Sequence, residues 1–319
     1  MRKLLGLVLA LALPGCSLIT LDLTPRIQPL AEQTVEGAGR AKILLVDVSG
    51  FLSDEGPSPG LLGTAPPRVP MLVRLREELK KAADDPDVRA LVLRINSPGG
   101  TVTASDIIWR ELDGWKRATR RPVVAVMLDV AASGGYYVAL AADTIVAHPT
   151  SVTGSIGVVM VTLNAEGLMQ KLGLATATIK SGDRKDMGSP FRALTDEERR
   201  IFQSVIDSLH GQFVTRLVEG RRLPLETARA LADGRIYTAQ QALERQLVDR
   251  IGYMPDAIEA ARRAAGVDEA RVIVYHRPRE YRATYYAHAE APGAPLDAQL
   301  AQLAAVLGAG PRFLYLWWP

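Results

Sequence analysis

Continuous aliphatic runs alternate with amphipathic ones along most of this chain. Lys42 to Val48, Val88 to Ile95 and Val123 to Val130 are almost wholly apolar, the pattern of short strands covered on both faces. Between them, Met71 to Ala83 and Thr101 to Ala118 repeat apolar residues at helical spacing, the first stopping at Asp84-Asp85-Pro86. Further strands are expected at Thr144 to Ala147 and Ala175 to Ile179, with a helix around Leu168 to Lys171. From Thr195 the pattern turns helical, over Asp196 to Glu219, Leu225 to Ala232 and Thr238 to Arg245. An extended piece, Val248 to Gly252, and a helix over Pro255 to Ala265 follow. The repeated order of strand, glycine-bearing turn and helix predicts an α/β fold with parallel strands whose carboxyl ends carry the site. Two turns lie at such ends, Asn96-Ser97-Pro98-Gly99-Gly100 and Ala131-Ala132-Ser133-Gly134-Gly135.

The flanks read differently. Residues 17–40 carry Thr24-Pro25, Gln28-Pro29 and Gly37-Ala38-Gly39 without sustained periodicity and are expected to be a tether. Residues 53–70 form a Gly/Pro-rich loop. After Tyr275 the chain is rich in Pro, Ala and Tyr. Leu296, Leu300, Leu303 and Leu307 make a stripe on a short helix, and Phe313-Leu314-Tyr315-Leu316-Trp317-Trp318 closes the chain. No basic cluster flanks that aromatic end, so packing, on the domain or on a neighbouring subunit, is expected of it in preference to a membrane contact. The expected divisions are 1–16, 17–40, 41–270 and 271–319, with no internal repeat.

Composition narrows the classes. The 48% apolar and 23% charged content of the 319 residues suits a globular protein with a sizeable core. A net charge of +3 with scattered Lys and Arg gives no ground for a nucleic-acid partner. Arg2 and Lys3 precede an apolar stretch, Leu4 to Leu13, too short for a good membrane span, and Leu13-Pro14-Gly15-Cys16 follows. Cys16 is the only cysteine, so no intrachain disulfide exists. The segment resembles a bacterial lipoprotein signal. That resemblance implies cleavage before Cys16, a lipid on Cys16, and a domain tethered to a membrane of the cell envelope, outside the cytoplasm.

The candidate chemistry centres on Ser133. A serine between a buried strand and a helix start sits where a nucleophile is exposed, and the glycines after it admit a close substrate backbone. The plainer role is an N-cap of the helix. A nucleophilic serine needs a base, and none of the four histidines, at 148, 210, 276 and 288, lies in a catalytic motif. The pattern G-x-S-x-G fails because Ala131 stands at its first glycine. Lysine is the alternative, and Lys185 stands out in Ser181-Gly182-Asp183-Arg184-Lys185-Asp186.

Residues 41 to 270 resemble the signal peptide peptidase A group of serine proteases, peptidase family S49. The resemblance is carried by Asn96 to Gly100, Ala132 to Tyr137, Ala141 to Ala147, Thr153 to Val158, Lys180 to Asp186, Ile236 to Ala242 and Leu247 to Asp249, in order. It implies a Clp protease/crotonase-like α/β fold with repeated β-β-α or β-α units, followed by a helical region after the lysine. By position Ser133 is the nucleophile, Lys185 the general base and Ser155 the hydroxyl that orients the lysine. The Gly99 and Gly100 backbone with the Gly134 N–H forms the oxyanion hole. The implied activity is endoproteolysis of apolar peptides, such as remnant signal peptides, through an acyl-enzyme, with no metal or other cofactor. The implied assembly is a homo-oligomer, an octamer, with the dyad shared across a subunit boundary.

The physical demand on such a base is steep, since free lysine titrates near 10.4 and a working base needs about 7–8. Burial beside apolar groups supplies that shift and a nearby carboxylate opposes it. Lys185 is therefore expected to be buried, with Asp183 and Asp186 turned away. Ser97 is read as a turn residue before proline. The competing readings are a non-proteolytic oligomeric scaffold and a crotonase-like acyl-CoA enzyme on the same fold.

Overall fold

The computed structural model describes residues 29–54, 69–277, 284–287 and 312–317. In chain order its strands are β1 (Ala31–Glu36), β2 (Lys42–Leu52), β3 (Val88–Thr101), β4 (Val123–Ala132), β5 (Thr144–Ala147), β6 (Val152–Gly154), β7 (Val159–Val161), β8 (Ile236–Thr238), β9 (Arg250–Ile251), β10 (Arg271–His276) and β11 (Arg312–Leu316). The helices are α1 (Met71–Asp84), α2 (Val102–Thr119), α3 (Gly134–Ala139), α4 (Glu166–Lys171), α5 (Asp196–Arg221), α6 (Leu225–Leu231), α7 (Ala239–Glu244) and α8 (Met254–Ala264). One mixed sheet runs β1-β10-β2-β3-β4-β5-β9, and every neighbour on that path is parallel except β1 with β10. Two branches leave it at the carboxyl ends of the central strands: β6 on β4, and β11 on β3.

The continuous aliphatic runs are explained by layers on both faces of the sheet. Leu44, Val46, Leu91, Leu93, Ile95, Ala125 and Met127 face a core completed by α1, α2 and α3 through Leu75, Leu79, Ile108, Leu112, Tyr136 and Val138. Their alternates Ile43, Leu45, Ala90, Val92, Val124 and Val126 face Met254, Ala257 and Ala261 of α8. Period-two alternation therefore sorts residues between two buried faces. Helix starts follow local chemistry: the Thr101 hydroxyl accepts from Ala104 N–H, and Thr195 and Glu198 form a reciprocal capping box at α5.

Several expectations change. Residues 31–36, expected within the tether, form β1, which alternates in burial and pairs antiparallel with β10. Asn96 to Gly100, expected as a turn, continues β3, because Gly99 and Gly100 lie opposite Phe51 and Leu52 on one side and Leu316 and Tyr315 on the other. Ala175 to Ile179 forms no strand; it is exposed, and Ile179 is fully in solvent. The aromatic end packs as expected, as β11, with Leu314 and Tyr315 buried. The signal segment with Cys16, and the stripe from Leu296 to Leu307, lie outside the described residues.

Leu93 is fully buried in this layering, whereas Val73 on α1 is 47% exposed. Leu93→Ala is expected to cost about 2–5 kcal/mol in urea unfolding and Val73→Ala no more than about 0.5 kcal/mol.

Candidate active site

The parallel register of β4 and β6 pairs Ala131 with Thr153 and Ala132 with Gly154, so the next residues out of the two strands, Ser133 and Ser155, leave side by side. Both have left-handed backbones, φ 51° and 49°. Ser133 N–H donates to the Gly154 carbonyl at 2.7 Å, Ser155 N–H to the Arg235 carbonyl at 2.7 Å, and the Ser133 carbonyl accepts from Tyr137 N–H at 2.8 Å to open α3. A positive φ on a residue with a Cβ costs on the order of 1–3 kcal/mol and persists only where the surroundings impose it. Here three backbone hydrogen bonds impose it.

Ser133 is 1% exposed and its hydroxyl has no hydrogen-bond partner. It makes no cap bond to α3, so the N-cap reading fails. A buried hydroxyl left unpaired is costly, and such groups mark sites where chemistry has use for them.

The glycines are required sterically. A Cβ on Gly134 would overlap the Ser105 hydroxyl and approach the Gly99 Cα to 3.1 Å, and one on Gly135 would come 2.6 Å from the Ser97 carbonyl oxygen. Gly99 has φ 104°, and a Cβ there would come 2.8 Å from the Gly134 nitrogen. Gly99 and Gly134 are thus in contact, which brings the expected oxyanion residues to the nucleophile turn. Ser97, read from the sequence as a turn residue, has a larger part. It is fully buried, its hydroxyl donates to the Gly50 carbonyl at 2.6 Å, and it accepts from Gly99 N–H at 3.1 Å. It fixes the Pro98–Gly99 peptide, and the Ser-Pro-Gly-Gly run gave its position but not that role.

Lys185 is placed elsewhere. Contrary to the expectation of burial, it is exposed in the single chain, on an excursion over residues 172–195 that is largely open to solvent. The hollow there is lined by Ser181, Gly182, Asp183, Arg184 and Lys185 and includes no residue of the Ser133 turn. The excursion is anchored by Asp186, whose carboxylate accepts from Arg192 at 2.9 Å and Lys180 at 2.8 Å, and by Arg192 with Glu198. Arg192, then Lys180, holds the Asp186 carboxyl well below the usual carboxylate range, and Arg192 with the Thr195 amide holds Glu198 down to about 2. The Asp186 carboxylate is therefore committed to partners other than Lys185. Among the histidines, His148 bonds Thr150 and His210 the Ala232 carbonyl, so neither serves Ser133; His288 lies outside the described residues. Among the described residues, no cluster of three His, Cys, Asp or Glu side chains is arranged to hold a metal ion.

The family model of peptidase family S49 matches residues 116–268. An Enterococcus faecium protein provisionally named signal peptide peptidase SppA is 37% identical over 247 residues, covering 77% of this chain and 70% of that protein. The chain belongs to peptidase family S49. It is also 34% identical over 231 residues to the chloroplastic serine protease SPPA of Arabidopsis thaliana, and 32% over 233 residues to protease 4 of Salmonella typhi; these matches span 33% and 36% of the longer relatives. This S49 peptidase is a serine protease of the signal peptide peptidase type, which places the peptidase reading ahead of the scaffold and acyl-CoA alternatives.

Ser97 and Ser133 differ in a way that stability measures. Ser97→Ala strands the Gly50 carbonyl and the Gly99 amide and is expected to cost about 1–3 kcal/mol in urea unfolding. Ser133→Ala removes a hydroxyl with no partner and is expected to leave stability unchanged or slightly raised in the same experiment.

Proposed function

We propose that this S49 peptidase cleaves extended apolar peptides, remnant signal peptides among them, through a Ser133–Lys185 dyad. The observation that carries the reading is the buried, unpartnered Ser133 hydroxyl at an imposed left-handed turn beside Gly99, Gly134 and Ser155. Ser133 Oγ attacks the scissile carbonyl and its proton passes to the lysine amine. The tetrahedral oxyanion takes its hydrogen bonds from the Gly134 N–H and the Gly99–Gly100 backbone, the lysine returns the proton to the leaving amine, and a water activated by the same lysine hydrolyses the acyl-enzyme.

Lys185 joins this site by assembly. On α4 and the excursion that follows it, Leu168, Leu172, Leu174 and Ile179 are all more than half exposed, an apolar surface that a second copy of the chain would cover. Docking there brings the lysine of one copy to Ser133 of the next and supplies the burial that a lysine base needs. The Clp protease/crotonase arrangement, with the nucleophile at the end of a parallel strand and an octameric ring, is the framework we infer for it. Cys16, lipidated, would hold the ring on an envelope membrane; among the described residues no helix is long and apolar enough to cross one.

The test uses a fluorogenic apolar peptide. Ser133→Ala and Lys185→Ala are each expected to lower kcat/KM more than about a thousandfold. Mixing and reassembling the two inactive variants is expected to restore activity, since some interfaces then join an intact serine to an intact lysine. Undiminished cleavage by either single variant sinks the dyad, and inactive mixtures of reassembled rings sink its sharing between copies. Cys16→Ser is expected to move the protein from the membrane fraction to the soluble fraction in a bacterial host.

A further inference from the structure

The lysine proposed as the base has carboxylates on either side of it in the chain, Asp183 before it and Asp186 directly after it. An anion close to an amine favours the protonated form and works against a base. Docking of a second copy would take water from the amine but would leave its chain neighbours where they are. Their charge must be dealt with inside the chain.

Arg192 grips Asp186 with its fork. Nε donates to Oδ2 at 3.1 Å, and a terminal nitrogen donates to Oδ1 at 2.9 Å and to the Asp186 carbonyl at 3.2 Å. Lys180 donates to the same Oδ1 at 2.8 Å. The guanidinium also reaches Glu198, at 2.9 and 2.5 Å, and Glu198 is fixed in the first turn of α5 by its capping box with Thr195. The Asp186 side chain is 12% exposed and that of Glu198 6%, so the bonds are made largely out of water. The charges of Lys180, Asp186, Arg192 and Glu198 cancel. The residue after Lys185 is thereby neutralised and tied to a helix that Phe202, Phe213 and Leu217 bury. Only a planar fork makes these paired bonds, which a lysine in place of Arg192 would lack.

The other charged groups of the region are paired or open to water. Arg184 pairs with Glu197 of α5, Glu166 of α4 accepts from the Ala193 N–H at 3.0 Å, and Arg235, beside the Ser155 turn, pairs with Asp233 at 2.5 Å. Lys171, Asp183, Asp196, Arg199 and Arg200 are exposed, where solvent and salt screen them.

We propose that Arg192 is a positioning residue for the Lys185 base: its fork on the Asp186 carboxylate and carbonyl, assisted by Lys180, keeps that charge from the neighbouring amine. The proposal rests on Lys185 being the base. Without the fork, the Asp186 carboxylate is free to turn to the amine beside it, and a lysine facing an anion stays protonated to higher pH.

The pH profile of kcat/KM for a fluorogenic apolar peptide, recorded on the full-length assembled protein, separates this role from simple anchorage of the loop. Arg192→Ala is expected to move the acid limb up by about one pH unit, so that cleavage at neutral pH falls about tenfold while the high-pH plateau stays within about twofold of the unsubstituted protein. Lys180→Ala, which removes the second cation on Oδ1, is expected to move the limb the same way by less. Adding Asp186→Asn to either variant is expected to return the limb to its original place. Activity lost evenly across the pH range and not recovered by Asp186→Asn overturns the proposal, because Arg192 then only shapes the loop. If Arg192→Ala fails to assemble, as judged by sedimentation, Lys180→Ala decides, and an unmoved limb in that variant counts against the proposal. The dyad itself fails by a different sign, undiminished cleavage by Lys185→Ala. An inactive Lys185→Ala together with an unmoved limb in Arg192→Ala removes the role of Arg192 and keeps the dyad.

Discussion

The left-handed turn at Ser133 is the constraint on which the site depends, and its cause lies in the sheet. Strands β4 and β6 run parallel and in register to their last residues, and the Gly154 carbonyl captures the Ser133 N–H at the point where the chain must reverse into α3. A reversal that abrupt leaves no room for side chains around it. Gly134 and Gly135 are hemmed in by Ser105 and Ser97, Gly99 reaches Gly134, and Gly100 lies against Leu52. The glycines, the strained serine and the unpaired hydroxyl are one feature seen from several residues. The buried apolar layers above and below the sheet hold it in place.

Much of this was legible in the sequence, for identifiable reasons. Runs such as Val88–Ile95 and Val123–Val130 exceed what a one-sided strand needs, so both their type and their burial could be read. Ser133 with its two glycines could be read because the strand before it and the helix after it are strongly patterned. What failed were segments whose structure depends on distant partners. Ala31–Glu36 is polar and short, and becomes β1 only because β10 offers an edge. Asn96–Gly100 carries every local sign of a turn, yet pairing on both sides draws it straight. Ala175–Ile179 looks like a strand in isolation and lacks an edge to join, so it stays in solvent. Ser97 was undervalued because its two hydrogen bonds reach Gly50 and Gly99, a geometry that spacing does not encode.

The position of Lys185 follows from the same logic of missing partners. The excursion that carries it buries little of its own apolar surface. Its anchorage by Asp186, Arg192 and Glu198 fixes the base of the excursion and leaves Leu172, Leu174 and Ile179 outward. On the proposed sharing of the dyad, desolvation of the amine comes from a second copy, and the isolated chain would lack a working base.

The edges beside Ser133 pose the opposite problem, because there the partner comes from far along the chain. A sheet edge at Gly99–Thr101 facing another at Val159–Val161 attracts any extended chain, and an open pair of edges is an aggregation hazard. Filling the gap with a strand of the same chain removes the hazard. Strand β11 does so with five residues, of which Leu314, Tyr315 and Leu316 are buried, so that burial of side chains adds to the backbone pairing on both sides.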